Sequence, residues 1–165
     1  MLIQSEFPGN DALQFPEQRA RTPPAILGAL GLDAGERILV WLPTYRAEGV
    51  ALESGHRLRS FVDDLPMGML QEFFDRARES GCTVLIKLHP FEKSDVRAAL
   101  GHIPNLRVFS DAEWQRTGIQ LYDLLGLADA LVSDVSSVLI DFAATGRPLA
   151  CFGFSPDTYT RDLVF

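Results

Sequence analysis

Five short runs of aliphatic and β-branched residues hardly alternate with polar ones: Arg37–Pro43 (RILVWLP), Thr83–Pro90 (TVLIKLHP), Leu106–Phe109 (LRVF), Ala130–Asp134 (ALVSD) and Pro148–Phe154 (PLACFGF). A strand with one wet face alternates, so runs that do not alternate are expected to be covered on both faces, as in a parallel sheet. Between them, apolar positions recur at helical spacing. In MLQEFFDRARESG the residues Met69, Leu70, Phe73, Phe74 and Ala77 form an apolar stripe that stops at Gly81, and in GIQLYDLLGLAD the residues Ile119, Tyr122 and Leu125 do the same. Upstream, RTPPAILGALG predicts a helix capped by Thr22, with Pro23 in its first turn and its end near Gly31. A last helix is expected from Ser136 to the vicinity of Gly146. Strands alternating with helices predict an α/β fold. The expected form is a Rossmann-like parallel sheet of about five strands flanked by helices, in the order 3-2-1-4-5.

Two segments break the rhythm. Ala47–Leu65 is a long polar connection after the first strand, expected to be an active-site flap or an insertion with its own short helix. Residues 1–21 contain no pattern of strand or helix and read as a linker remnant, which leaves 22–165 as the folded domain.

Composition narrows the picture without changing it. The 165 residues suit one domain, and 47% apolar against 22% charged residues point to a folded core. A net charge of -7 argues against a protein that holds nucleic acid or an anionic membrane through overall attraction. Cys82 and Cys151 both fall in strand-like runs, so buried free thiols in a reducing compartment are expected rather than a zinc site. No apolar run approaches the roughly 18 residues of a spanning helix, and MLIQSEFPGND lacks a basic region before an apolar core. The expectation is a cytoplasmic chain.

In an open α/β sheet, ligands bind outside the carboxyl ends of the strands. Those ends are polar here: PTYR (Pro43–Arg46), KLHP (Lys87–Pro90), SDAEW (Ser110–Trp114), SDVSS (Ser133–Ser137) and SPD (Ser155–Asp157). A helix starting at Ser136 would present free backbone N–H groups and the positive end of its dipole, to which two hydroxyls add hydrogen bonds, so the serine pair is a candidate phosphate site. The competing reading makes Ser136 a plain N-cap and Ser137 a passenger. His89 and Arg46 reach the same edge from other loops, and the three together suit a diphosphate. Lys87, two residues before His89, is expected on the same face as a phosphate contact or as a surface lysine. Asp134 and Asp141 are candidate acids or bases, with chain turning and a structural bond as their alternatives. Tyr122 and Trp114 are candidate covers for a nucleotide base, although Tyr122 lies on an apolar helical face.

The elements ILVWLPTYR, KLHP and LYDLLGLADALVSDVSSVLIDFAATGRPLACFGFSPDTY resemble, in order and spacing, the C-terminal domain of the CDP-glycerol glycerophosphotransferases, the wall teichoic acid primases and polymerases. FPGNDAL (Phe7–Leu13) resembles that family's interdomain linker, with Gly9 where arginine is usual, and Val135 stands where the family's D-Y-S-S has tyrosine. The resemblance implies the C-terminal, donor-binding half of a GT-B transferase, truncated at its C-terminus and lacking the N-terminal acceptor domain. It implies a transfer of glycerol phosphate or ribitol phosphate from a CDP-activated donor to a teichoic-acid-like or other surface polymer, in a protein peripheral at the inner face of the membrane through the missing part. His89 would be the catalytic residue. His89, Ser136 and Ser137 would hold the donor diphosphate, and Thr44, Arg46, Lys87 and Asp134 complete the expected donor site. No cofactor and no tightly bound metal are expected, and the partners are the CDP-activated donor and a polymer or lipid-linked acceptor. Two other functions compete: a GT-B domain using a nucleotide sugar, and a non-catalytic α/β nucleotide-binding or regulatory module.

Overall fold

The computed structural model describes residues 24–44, 66–90, 96–134 and 136–151. Its elements run α1 (Pro24–Ala29), β1 (Arg37–Leu42), α2 (Met67–Glu79), β2 (Cys82–Lys87), α3 (Val96–Leu100), β3 (Leu106–Phe109), α4 (Asp111–Thr117), α5 (Leu121–Leu127), β4 (Ala130–Ser133), α6 (Ser137–Ala143) and β5 (Leu149–Cys151). The five apolar runs pair as one parallel sheet in the order β3-β2-β1-β4-β5, as the alternation of strands and helices requires. Thr22, Pro23, residues 1–21, residues 47–65 and the end of the fifth run lie outside the described residues, and with them the expected cap, linker and flap.

Alternation along each strand sends side chains to two cores. Ile38, Val40 and Leu42 of β1, Leu85 of β2 and Leu131 of β4 pack with Leu124 and Leu125 of α5 and Phe142 of α6. Trp41, Val84, Ile86 and Val132 take Leu70, Phe74 and Ala77 of α2 and Val96 and Leu100 of α3 on the opposite face. The central strands are thus covered on both sides, which is why their sequences do not alternate. Phe74 is fully buried and sits edge-on to Phe73, whose ring also meets Trp41 at 5.4 Å. Truncating Phe74 to alanine would cost on the order of 3–5 kcal/mol.

Several expectations are corrected. Met69, expected in the buried stripe of α2, is 51% exposed, because the helix turns Leu70, Phe74 and Ala77 toward the sheet and Met69 lies one residue off that stripe. The polar strand end SDAEW runs straight into a helix: Asp111 opens α4, and side-chain and backbone groups of Ser110 and Glu113 form a reciprocal cap. Gly118, at φ 69°, ends α4 in the left-handed conformation that favours glycine, so the helix expected over GIQLYDLLGLAD starts only at Leu121. At the other edge, all three residues of β5 are exposed, Cys151 among them, and Cys82 is only half-buried. Both cysteines are free thiols, but neither is the core residue its apolar run suggested.

Candidate functional site

Strands β2, β1 and β4 are neighbours and parallel, so their carboxyl ends share one edge. From β1 the chain crosses by α2 to β2 on one side, and from β3 it returns by α4 and α5 to β4 on the other. The strand order therefore reverses between β1 and β4, and the crevice of such a sheet opens there. Leu42 pairs with Ser133 and Trp41 with Ile86, so Thr44 and His89 each stand three residues beyond the second of these pairs and lie level across the edge. With strands about 4.8 Å apart, the segments leaving β2 and β4 flank β1 at a separation of roughly 10 Å.

Thr44 and Asp134 meet at the reversal. The Thr44 amide donates to Asp134 Oδ1 at 2.8 Å and the Thr44 hydroxyl donates to Oδ2 at 2.6 Å. Asp134 is only 5% exposed, and beneath it the fully buried Ser133 hydroxyl donates to the Leu42 carbonyl at 2.7 Å. Both carboxylate oxygens are thus engaged in tying the end of β1 to the end of β4. A buried carboxylate needs such donors to offset lost hydration.

The serine pair stands at the start of α6. Ser136 is the N-cap in extended conformation (φ -141°, ψ 142°), and its hydroxyl accepts from the Val138 amide at 3.4 Å. Ser137 is the first helical residue and is exposed. The apolar side of α6, with Phe142 buried and Val138 and Leu139 half-buried, faces the core. At α6 the sequence therefore places one serine in a capping role and leaves the other open to solvent.

Lys87 closes β2 on the sheet face that carries Leu85 and hence α6. Its side chain is 15% exposed, and its ammonium lies 3.4 Å from Asp111 Oδ1 and 3.3 Å from the Leu88 carbonyl. Asp111, at the start of α4, is a partner that the sequence reading did not single out. His89 is half-buried just past β2, beyond Leu88, whose amide extends the pairing to the Phe109 carbonyl at 2.9 Å. Arg46 falls outside the described residues. Trp114 is no base cover: it is 4% exposed and packs edge-on to Phe109 in the core. Tyr122 is half-buried against the same core, with its hydroxyl donating to Asp141 Oδ2 at 2.6 Å. That bond, more than burial, raises the phenol above its usual pKa. Asp141 is thereby the structural partner its helical position suggested.

Other charged groups serve the frame. Glu113 accepts from both terminal nitrogens of Arg97, which also reaches the Val108 carbonyl on edge strand β3. Arg97 first, then Ser110, hold the Glu113 carboxyl at a pKa of about 2. The S-x-x-E spacing of Ser110 and Glu113 is a capping-box signal present in the sequence. Arg147 donates to the Gly126 and Ala128 carbonyls at 3.0 and 2.5 Å and stacks 4.8 Å from the Phe142 ring centre, and burial lowers its pKa. A cavity of about 360 Å³ opens beside β3, lined by Arg97, Val108, Phe109 and Glu113 among residues of α1, α3, β3 and α4. It contains none of the expected site residues, whose polar strand ends lie at the β1–β4 reversal. Among the described residues, no group of three or more His, Cys, Asp or Glu is placed to hold a metal ion, and no helix is long and apolar enough to cross a membrane.

Residues 2–165 match the family described as CDP-glycerol:poly(glycerophosphate) glycerophosphotransferase. Among curated proteins, the chain is 29% identical over 132 residues to the teichoic acid glycerol-phosphate primase of Bacillus spizizenii, covering 79% of this chain and 29% of that protein. It is 28% identical over 135 residues to the teichoic acid ribitol-phosphate polymerase TarL of Staphylococcus aureus, covering 81% of this chain and 22% of that one. In three dimensions it resembles the wall teichoic acid polymerase TagF with a TM-score of 0.62 at 21% identity, over 98% of this chain and 36% of that one. The chain thus spans about a third or less of the length of the two curated relatives.

Proposed function

The chain belongs to the CDP-glycerol:poly(glycerophosphate) glycerophosphotransferase family, and from that premise we propose that it is the donor-binding domain of a GT-B transferase moving glycerol phosphate or ribitol phosphate from a CDP-activated donor to a teichoic-acid-like polymer. The observation that carries this reading is the meeting of β1, β2 and β4 at the topological reversal, with His89, Lys87 and the serine pair of α6 delivered to one edge. In the transfer, an acceptor hydroxyl attacks the phosphorus that bears the polyol, the bond to the bridging oxygen breaks, and CMP leaves with the electron pair. The acceptor proton passes to a base in the acceptor domain outside this chain.

The domain's part is electrostatic. Charge grows on the bridging and non-bridging oxygens as CMP departs, and preorganised donors aimed there lower the barrier. His89 and Ser137 meet the diphosphate, with the amides of the first turn of α6 beside them, and Arg46 and Lys87 add positive charge. Ser136 divides its hydroxyl between its own helix and the donor. Thr44 and Asp134 hold the floor between them, so Asp134 acts through the shape of the crevice and not as an acid or base. No tightly held metal is required, since protein groups meet the diphosphate.

CMP release measured on the full-length protein with CDP-glycerol, CDP-ribitol and UDP-sugars tests the reading. Turnover of a CDP-polyol with polymer acceptor, undiminished by a chelator, is expected. Turnover of a UDP-sugar instead would assign the competing glycosyltransferase function, and loss of activity with chelator would overturn the metal-free reading.

A further inference from the structure

We propose that Tyr122 is a positioning residue for donor binding, whose hydrogen bond to Asp141 fixes the rotation of α6 and so the direction of Ser137. This rests on the reading that Ser137 meets the donor. Ser137 and Asp141 are four residues apart on α6 and therefore lie one above the other on the same side of the helix. The helix has only seven residues, and its apolar anchor is one narrow stripe of Val138, Leu139 and Phe142. Ile140, 77% exposed, marks the side turned fully to solvent. Apolar packing is non-directional, so it sets how deep α6 lies better than how it is rotated. The Tyr122 bond to Asp141, at 2.6 Å, adds a directional contact on the flank that carries Ser137.

The partner side is firm. Tyr122 lies in the first turn of α5, whose following residues Leu124, Leu125 and Leu127 are buried in the core. Because α5 returns from the carboxyl edge of the sheet to the start of β4, its first turn stands near the same edge as the start of α6. At the far end of α6, the Arg147 guanidinium joins the Gly126 and Ala128 carbonyls at the end of α5 to the Phe142 ring. α5 is thus tied to α6 from both of its ends, by Tyr122 of its first turn through Asp141 and, farther from the site, by Arg147 at its last turn beside the adjacent Phe142. Loss of the nearer tie frees the Ser137 side to turn, while loss of the farther one weakens the fold.

The test compares Tyr122→Phe, Asp141→Asn, the double variant and Ser137→Ala in the full-length protein, reading CDP affinity by calorimetry beside the melting temperature without ligand. Tyr122→Phe keeps the buried ring, so folding is retained and the readout is affinity. Each single variant at the tie is expected to weaken CDP binding roughly three- to thirtyfold, with the double variant no weaker than the worse single one, as for two ends of one bond. The shift should fall on KM for the CDP-polyol more than on kcat. A Tyr122→Phe protein that melts lower but binds CDP as tightly as wild type would overturn the inference and make the bond structural only. If Ser137→Ala leaves affinity unchanged, the donor reading of the serine has failed; if Ser137→Ala weakens binding and Tyr122→Phe does not, the positioning role alone has failed.

Discussion

Asp134 receives two hydrogen bonds from a single residue ninety positions earlier, the amide and the hydroxyl of Thr44, and through them the ends of β1 and β4 are locked together where the strand order reverses. A crevice between two parallel strands is only as well defined as the distance between their ends. Here a buried carboxylate sets that distance.

The two partners should therefore differ in what their loss costs. Thr44→Val removes the hydroxyl bond to a charged oxygen and keeps the amide bond, which should lower stability by about 1.5 kcal/mol. Asp134→Ala also strands the Thr44 amide, and a loss of about 3 kcal/mol is expected. Denaturant unfolding with an unchanged slope measures both. Equal losses would mean that the hydroxyl, and not the amide, carries the lock.

Arg147→Ala should destabilise the fold by about 2–3 kcal/mol, since two carbonyls at the end of α5 lose their donor and Phe142 loses its stacked cation. Arg147→Lys should recover less than half of that, because an ammonium cannot reproduce the planar contact. Melting temperatures of both variants check the order.

Acid should weaken the brace on β3 only at low pH. The Glu113 pKa is lowered to about 2 in the fold, so its stabilising effect is fully present above the unfolded value near 4.5 and is lost as pH falls toward 2. The pair is largely exposed, which limits the effect to about 1 kcal/mol or less. Thermal melts from pH 2 to 6 should show Glu113→Gln less stable than wild type at pH 6 and converging with it near pH 2. A constant difference across that range would contradict the assignment.

Much of the frame is legible in the chain because burial on two faces leaves a mark that single residues carry: the runs around Val40, Leu85 and Leu131 do not alternate. The polar strand ends, and the serine at the cap of α6, follow from the same pattern together with local turn chemistry. What escapes is whatever depends on register or on the sheet's limits. Thr44 and Asp134 each read as polar residues at a strand end, and only the pairing of Leu42 with Ser133 brings them together. Cys151 looks like core because β5 resembles its neighbours, yet it is an edge strand with its residues exposed. Trp114 follows a polar strand end and so reads as a candidate base cover, but the capping box of Ser110 and Glu113 starts a helix there that buries the indole.

The account turns on the donor diphosphate being held at this reversal, and CDP titration calorimetry on wild type, Ser137→Ala and His89→Ala in the full-length protein, with melting measured alongside, addresses it most directly. Ser137 is exposed in the first turn of α6 and does not provide its N-cap, so its loss should leave stability without ligand nearly unchanged. One hydrogen bond to a charged oxygen is worth roughly 1.5–3 kcal/mol, so each variant should bind CDP about ten- to a hundredfold more weakly. Affinities equal to wild type in both variants would contradict the account and leave the serine pair a helix start and nothing more.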